Sequence, residues 1–331
     1  MREPAFWWRP HAWPSLVLAP LGWIYGAIAA KRLRRQGEHV GVPVFCVGNY
    51  TLGGAGKTPT VLALLELLRA EGQRPFVLTR GYRGTLQGPL LVDASKHSAI
   101  EVGDEPVLLS AVAPVVVAAD RVAGAKLALE RGASVVIMDD GFQNPSLAKQ
   151  LSLVVVDAAR GLGNGSVFPA GPLRAPFVDQ LERTDALVII GEGAAADALA
   201  AAVARRSAPV LRARLVPDAA DVVSLRDKRA LAFAGIGDPE KFFATLRASG
   251  IDVAATRSFA DHHAYRKTEL SALRAEAQQN GLTLVTTAKD LARLGPAGTG
   301  ISVLKVSLVF EDQALVRQLV ARAVRAALRT V

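Results

Sequence analysis

The fold is decided by residues 42–60, which read Val42-Pro43-Val44-Phe45-Cys46-Val47-Gly48-Asn49-Tyr50-Thr51-Leu52-Gly53-Gly54-Ala55-Gly56-Lys57-Thr58-Pro59-Thr60. The apolar run at 42–47 reads as a buried strand, and apolar residues at helical spacing follow from 61 to 69. A strand, a glycine-rich turn and a helix in this order indicate a phosphate-binding loop.

The chemistry of this loop follows from its residue types. Glycines have no Cβ, so main-chain N–H groups can curl around phosphate oxygens, and the new helix points its positive end at them. The standard motif has glycine where this chain has Thr51, and the Gly53-Gly54 pair can supply the turn instead. We therefore expect ATP to bind at these residues: Thr51, Gly53, Gly54, Ala55, Gly56, Lys57 and Thr58.

A second apolar run, residues 134–138, ends in the acidic pair Asp139-Asp140. A P-loop fold presents a further Mg²⁺ ligand at the carboxyl end of such a buried strand. Two adjacent carboxylates are costly unless a cation or good donors face them. We therefore expect at least one of them, with the Thr58 hydroxyl, to bind Mg²⁺; the alternative is a helix cap worth only ~1 kcal/mol.

Two other motifs contain candidate acid–base groups. Asp104 precedes an apolar helical segment, where it is either the N-cap or the carboxylate that accepts the acceptor hydroxyl's proton. The Asp261-His262-His263 triplet has low intrinsic specificity, but one histidine paired with a carboxylate can orient or assist a base. Residues 287–290, Thr-Ala-Lys-Asp, lack the asparagine of the guanine-reading GTPase motif.

Composition limits the classes of partner. The chain has 331 residues, 50% of them apolar, which is enough for about two packed domains. The single cysteine, Cys46, excludes an intrachain disulfide. A net charge of +9 suits an anionic partner: nucleic acid, an anionic membrane face or a phosphorylated substrate.

The N-terminal region distinguishes among these partners. The stretch from Pro10 to Ala30 carries no formal charge, contains several aromatic residues and is followed by a basic cluster at 31–35. Four interpretations fit this stretch: a spanning helix, a cleaved signal peptide, an interfacial helix, or a helix packed on the protein's own core. A nucleotide site requires cytoplasmic residence, so we favour a retained, membrane-associated helix.

Apolar strands alternate with helical segments through most of the chain, which predicts an α/β fold. We expect a P-loop NTPase-like parallel sheet with helices on both faces, plus a smaller C-terminal α/β domain and an N-terminal apolar helix. The predicted boundaries are 1–35 for the helix, 36–215 for the nucleotide-binding core and 216–331 for the second domain, which closes the cleft.

Further motifs follow in chain order: Thr79-Arg80-Gly81-Tyr82, Gly103-Asp104-Glu105-Pro106, Asp139-Asp140-Gly141-Phe142-Gln143, Arg160-Gly161, Gly163-Asn164-Gly165, Pro169-Ala170-Gly171-Pro172-Leu173-Arg174, Ala234-Gly235-Ile236-Gly237, Phe259-Ala260-Asp261-His262-His263, Tyr265 and Lys289-Asp290. Together with the loop, this set resembles the lipid A 4′-kinase (tetraacyldisaccharide 4′-kinase) family. The chain departs from that family at Asn144-Pro145-Ser146, where His and Arg are usual after the glutamine.

The resemblance implies Mg²⁺- and ATP-dependent phosphorylation of the 4′-hydroxyl of a tetraacyl glucosamine disaccharide 1-phosphate. It implies that Asp104 is the base, assisted by His262 or its neighbour His263. It places the remaining roles as follows: Lys57 in catalysis; Thr58, Glu105, Asp139 and Asp140 at the metal; and Asn49, Tyr82, Arg121, Gln143 and Arg174 at the substrate.

The same resemblance implies a location and a set of partners. The step belongs to lipid A biosynthesis at the cytoplasmic face of the bacterial inner membrane. We expect an anionic glycolipid substrate and a membrane surface as partners, with no nucleic acid and no obligate protein partner. The alternatives are a nucleic-acid-binding ATPase and a membrane-associated nucleotide switch; a switch would need an Asp-x-x-Gly motif, and Asp139 and Asp140 are followed at that spacing by Phe142 and Gln143.

Overall fold

Two sheets form in residues 3–328, the part of the chain that the computed structural model describes. The strands are β1 Val44–Gly48, β2 Pro75–Thr79, β3 Leu90–Leu91, β4 Val115–Val117, β5 Val135–Asp139, β6 Leu151–Asp157, β7 Ala186–Ile190, β8 Val210–Pro217, β9 Arg229–Ala234, β10 Asp252–Ser258, β11 Thr283–Thr287, β12 Ser302–Leu304 and β13 Val306–Phe310.

The α-helices connect these strands, and a 3₁₀ turn at Ala5–Trp8 precedes the first of them. The helices are α1 Trp13–Leu33, α2 Lys57–Ala70, α3 Ala99–Val102, α4 Asp104–Ser110, α5 Arg121–Glu130, α6 Phe177–Leu181, α7 Asp197–Ala204, α8 Ala219–Leu225, α9 Pro239–Ala248, α10 Lys267–Gln279, α11 Ala288–Leu294 and α12 Gln313–Leu328.

The larger sheet has the order β13-β8-β7-β6-β1-β5-β2-β4-β3 within the described residues, and it is parallel except at its two edges. Both faces are covered: α2 and α12 pack on one and α5 and α7 on the other. Central strand β1 lies between β5 and β6. Strands β2 to β5 lie on one side of β1 and β6 to β8 on the other, so the strand order reverses at β1. The crevice at the carboxyl end of the strands at such a switch point is where these sheets bind ligands. The predicted α/β class is confirmed.

The smaller sheet has the order β10-β9-β11-β12 and is parallel throughout. Helix α9 buries Phe242, Phe243 and Leu246 on one face, and α10 buries Leu270 and Leu273 on the other. This sheet therefore has its own two-sided core, which is typical of a separate domain.

The C-terminal end of the chain differs from the sequence prediction, which assigned residues 216–331 to the second domain. Strand β13 pairs antiparallel with β8, from Val306 opposite Pro217 to Phe310 opposite Ala213. Helix α12 then buries Val316 in the core of the larger sheet. Pairing between distant segments covers the open edge of β8, and local sequence pattern does not reveal it. The second domain is thus inserted between β8 and β13.

The N-terminal helix α1 lies on the larger domain. It runs unbroken through Pro20. Its inner face consists of small residues; a Cβ on Gly22 would lie 2.9 Å from the Val167 carbonyl oxygen and one on Gly26 3.4 Å from Pro176 Cγ. Bulky apolar side chains point outward from the opposite face: Trp13, Leu16, Val17, Leu21, Trp23, Ile24 and Ile28. Within residues 3–328 this is the one helix long and apolar enough to cross a membrane.

Candidate active site

The glycine-rich loop joins β1 to α2, as predicted, and its curved shape is fixed from two sides. Gly53 and Gly56 adopt positive φ angles of 97° and 92°. Inside the loop, the Asn49 side-chain amide donates to the Gly53 carbonyl at 3.1 Å. From outside, Arg174 Nε donates to the Thr51 carbonyl at 2.9 Å. The loop is therefore preorganised by hydrogen bonds from Asn49 and Arg174, which reduces the ordering cost of binding phosphate.

Gly56 is a loop position at which a side chain would be both strained and crowded. A Cβ there would lie 2.5 Å from Ile190 Cδ1, whereas a Cβ on Gly54 would meet no atom of the described residues within 4 Å. We expect Gly56→Ala to destabilise the nucleotide-free protein by about 1–2 kcal/mol. Gly54→Ala, the matched control, should change the free energy of unfolding by about 0.5 kcal/mol or less. Urea unfolding measures both, and equal losses would contradict the assigned loop conformation.

Asp140 is held by two cations at the mouth of the loop. Its Oδ1 lies 2.9 Å from Arg174 Nη1 and 3.5 Å from Lys57 Nζ. Burial alone would raise the pKa of Asp140, but Lys57 and Arg174 outweigh it and lower the pKa to about 2. Asp140 also has a positive φ of 52°, a strained conformation that is common at functional sites. Asp140 is therefore ionised and oriented toward Lys57.

Asp139 has the opposite environment. It is 1% exposed, and neither carboxylate oxygen has a hydrogen-bond partner among residues 3–328. Burial, followed by the negative charges of Glu105 and Asp140, raises the pKa of Asp139 to about 7. A buried carboxylate without a partner is costly unless a cation binds it.

The residues around Asp139 fit Mg²⁺. Thr58 Oγ1 lies 3.4 Å from Glu105 Oε1, so a hydroxyl and a second carboxylate lie near the P-loop lysine. No group of three or more His, Cys, Asp or Glu side chains in the described residues encloses a metal ion. Mg²⁺ does not need such a cage, because it retains waters and binds through one or two carboxylates plus substrate phosphates.

A carboxylate–histidine pair forms across the cleft between the domains. His262 Nδ1 lies 3.0 Å from Asp104 Oδ2, and Arg293 Nη2 lies 2.5 Å from the same oxygen. Burial alone would raise the pKa of Asp104, but the hydrogen bonds from His262 and Arg293 outweigh it and lower the pKa. His263 instead contacts Glu269 at 2.9 Å. His262 is thus the histidine that faces the candidate base.

Asp104 is not the helix cap that local sequence also permitted. The N-cap of α4 is Gly103, and Asp104 Oδ1 accepts a hydrogen bond from the Glu105 main-chain N–H at 3.0 Å. Glu105 in turn pairs with Lys289 of the second domain at 2.5 Å. Burial alone would raise the pKa of Glu105, but Lys289 outweighs it and lowers the pKa.

The predicted substrate residues occupy three kinds of position. Tyr82 is 58% exposed, and its ring packs edge-on against His262 at 5.5 Å. Arg121 is buried, and its Nε has no partner among the described residues. Gln143 Nε2 donates to the Asn49 carbonyl at 2.8 Å, so these two residues support the loop. The structure therefore brings Tyr82 to the candidate base, and Asn49 and Gln143 to the loop.

The cations of α11 have no role at the site in the predictions from sequence, in which Lys289 is only part of a motif and Arg293 is not mentioned. Lys289 and Arg293 lie one helical turn apart and reach the adjacent carboxylates Glu105 and Asp104. A usable signal was the position of this helix at the carboxyl end of β11, the edge where parallel sheets place functional groups.

The sheet order and the loop place the chain among the P-loop nucleotide-binding proteins. The pair formed by Asp104 and His262 on the loop side of the cleft indicates a phosphotransferase rather than a switch. Comparisons with known proteins agree. The family described as "Tetraacyldisaccharide-1-P 4'-kinase" matches residues 14–325. The chain therefore belongs to the tetraacyldisaccharide-1-P 4′-kinase family.

Individual relatives cover almost the whole chain. The tetraacyldisaccharide 4′-kinase of Bradyrhizobium diazoefficiens is 61% identical over 97% of this chain and 96% of its own length. That of Rhodopseudomonas palustris strain HaA2 is 60% identical over 96% and 95%. A crystal structure of the Aquifex aeolicus family member LpxK in complex with ATP superposes with a TM-score of 0.74, at 27% identity, over 93% of this chain and 99% of that one.

Proposed function

We infer that this chain is an ATP-dependent tetraacyldisaccharide 4′-kinase of lipid A biosynthesis. It transfers the γ-phosphate of ATP to the 4′-hydroxyl of a tetraacyl glucosamine disaccharide 1-phosphate. The observation that carries this function is the position of Asp104. It is paired with His262, and its neighbour Glu105 lies 3.4 Å from Thr58 of the phosphate loop.

The nucleotide side of the reaction is assigned to the loop and the strand ends. The main-chain amides of residues 53–58 and the Lys57 ammonium hold the terminal phosphates of ATP. Thr58, Asp139, Asp140 and Glu105 are the groups that would hold Mg²⁺, directly or through water. When bound, Mg²⁺ neutralises charge on the β- and γ-phosphates.

The acceptor side is assigned to the cleft. The 4′-hydroxyl oxygen bonds to the γ-phosphorus of ATP, and the bond from that phosphorus to the β,γ-bridging oxygen breaks. The Asp104 carboxylate accepts the proton that the hydroxyl loses in this step. ADP leaves with the bridging oxygen, and Asp104 then returns the proton to solvent. His262 keeps the carboxylate oriented throughout the step.

The roles of the remaining predicted residues follow from their surroundings. Arg121 is a buried cation with an unpaired Nε in the described chain, which suits an anionic group of nucleotide or acceptor. Arg174 acts through Asp140 and the loop. Tyr82 offers an exposed ring for the sugar beside His262. Asn49 and Gln143 act by holding the loop in shape.

The test is acceptor-dependent ATP turnover in detergent. We expect ADP release to rise at least about 10²-fold when the tetraacyldisaccharide 1-phosphate is added, because Asp104 acts on the acceptor hydroxyl. A nucleotide switch or a nucleic-acid-dependent ATPase would turn over ATP at the same rate with or without the lipid, and that result would overturn the proposal.

We also propose that the enzyme works at the cytoplasmic face of the inner membrane, with a glycolipid and an anionic membrane surface as partners. The exposed face of α1 is apolar, with Trp23 76% and Ile28 60% exposed, and Lys31 and Arg32 lie in its last turn. An apolar face with a basic end is what an interfacial helix needs. We continue to expect neither a nucleic acid nor an obligate protein partner.

Membrane association can be tested without removing α1, whose inner face packs on the domain. We expect the triple variant Trp13→Ser, Trp23→Ser and Ile28→Ser to reduce binding to anionic lipid vesicles by about 10²-fold or more, since three large apolar contacts are lost. The control is Val223→Ser, an exposed apolar residue on the second domain that is 66% exposed. Unchanged sedimentation of the triple variant with vesicles would contradict the membrane role of α1.

A further inference from the structure

A chain of buried polar groups runs through the second domain and ends on Asp104. Arg293 is the last member: its Nη2 contacts Asp104 Oδ2 at 2.5 Å, and its Nη1 donates to Asp290 Oδ1 at 2.7 Å and to the Gly235 carbonyl at 3.1 Å. The Arg293 side chain is only 9% exposed. One guanidinium therefore joins the candidate base to the interior of the other domain.

Asp290 fixes the direction of this guanidinium. It is completely buried, and its Oδ1 accepts hydrogen bonds from the Tyr265 hydroxyl at 2.8 Å and from the Gly235 main-chain N–H at 3.1 Å. The Thr287 hydroxyl donates to its other oxygen at 2.7 Å. Both carboxylate oxygens thus accept hydrogen bonds, and a satisfied buried network is rigid.

Gly235 leaves the space that this network needs. A Cβ there would lie 3.1 Å from both Asp290 Oδ1 and the Tyr265 hydroxyl oxygen, which is tighter than most contacts in proteins. The motifs at residues 234–237, 259–265 and 287–290 therefore meet around Asp290. Together they hold Arg293 against Asp104.

The arrangement joins the two domains. Asp104 and Glu105 begin α4 of the larger domain, whereas Arg293 and Lys289 lie on α11 of the inserted domain. Both ion pairs therefore link the inserted domain to the larger one across the cleft. The Asp104 oxygen that Arg293 contacts is the one that also faces His262.

We propose that Arg293 is a positioning residue for phosphoryl transfer: it orients Asp104 from the inserted domain and is itself held by Asp290, to which Tyr265 donates a hydrogen bond. This role rests on the proposed function, because it requires Asp104 to be the base. Arg293 acts through Asp104 and does not contact the nucleotide loop. A displaced base costs rate in the chemical step, while the nucleotide still binds.

The test compares Arg293→Met with Arg293→Lys under saturating ATP and lipid. We expect the methionine variant to lose about 10²-fold in kcat, with the KM for ATP within about 3-fold of the parent value. Lysine should recover a large part of the loss because it restores the positive charge. The recovery should be incomplete, because lysine cannot bond to Asp104 and Asp290 at once through a planar guanidinium. The control is Arg274→Met, which removes a guanidinium that donates to the main-chain carbonyls of Ala297 and Thr299.

A double-variant cycle separates positioning from mere domain packing. If Arg293 acts through Asp104, then adding Arg293→Met to Asp104→Asn should change kcat by less than about 3-fold, because the group it positions is already disabled. If the decrease in kcat of the double variant equalled the product of the decreases in the two single variants, the proposal would be overturned. Tyr265→Phe, which removes one hydroxyl from Asp290, gives an independent measure and should lower kcat by about 3- to 10-fold.

The outcomes also separate this proposal from the function on which it rests. Normal turnover by Arg293→Met, with Asp104→Asn inactive, would refute the positioning role and leave the base intact. Normal turnover by Asp104→Asn would remove the base assignment, and the role of Arg293 with it. A loss in Arg293→Met that lysine does not recover at all, accompanied by unfolding, would show packing alone and also overturn the proposal.

Discussion

Replacement of Asp104 by asparagine is expected to lower kcat by about 10²-fold or more, with nucleotide affinity nearly unchanged. Asparagine keeps the shape of the side chain and its place beside His262 and Arg293. It cannot take up the proton that the 4′-hydroxyl loses as the new oxygen–phosphorus bond forms. The loss should therefore appear in the chemical step, because the groups that hold the phosphates are untouched.

The measurement is a pre-steady-state phosphoryl-transfer assay alongside titration with a fluorescent ATP analogue. The matched control is Asp197→Asn, which weakens a surface ion pair with Arg212 at 3.5 Å far from the cleft. We expect this control to keep parental kcat, since exposed pairs contribute little. Near-normal transfer by Asp104→Asn would show that another group accepts the proton.

Asp139→Asn is expected to have two effects of opposite sign. Mg²⁺-dependent turnover should fall by about 10²-fold or more, because the metal loses a carboxylate ligand. The metal-free protein should nevertheless become more stable at pH 8, on the order of 1–3 kcal/mol, because a buried negative charge without a partner is removed. Functional sites commonly contain residues whose presence lowers stability.

The pH dependence of stability gives the sign of the Asp139 effect. The pKa of Asp139 is raised from 3.8 to about 7 in the folded protein. Between these values the folded state keeps a proton that the unfolded state has released, so the contribution of this group to stability falls as pH rises through that window. The amide of the Asp139→Asn variant does not titrate, so the variant's free energy of unfolding should vary less between pH 5 and pH 8.

Urea unfolding in the presence of a chelator at several pH values measures this difference. Asp197→Asn again serves as the control, since its carboxylate is 59% exposed. Parallel pH profiles for the parent and Asp139→Asn would contradict the raised pKa. Saturating Mg²⁺ and ATP should narrow the gap between the two proteins, because they bind the folded parent preferentially.

The phosphate loop and the acidic pair at the end of β5 could be located from sequence because their signals are local. Glycines at 53 and 56, a lysine at the start of a helix and two aspartates after an apolar run each act within one turn or one strand end. The structure confirms the strand–loop–helix order and the apolar helix at the N-terminus. In addition, Pro20 lies inside α1 and does not end that helix.

The contacts across the cleft could not be predicted in the same way. Lys289 and Arg293 on a short helix have the same spacing as two solvated cations, and only the approach of α4 gives them carboxylate partners. Read alone, the local sequence at Asp104 favours a helix cap, whereas in the structure Gly103 is the cap. Likewise, the return of β13 to the larger sheet depends on pairing with β8, which is far away in sequence.

The most direct test of the central claim is analysis of the reaction product. The chain is incubated in detergent with Mg²⁺, ATP and tetraacyldisaccharide 1-phosphate, and the lipid is examined by mass spectrometry and ³¹P NMR. The account predicts a lipid with one added phosphate ester at the 4′ position, formed in step with ADP and absent with Asp104→Asn. An unmodified lipid, while ATP is hydrolysed to ADP and free phosphate, would contradict it.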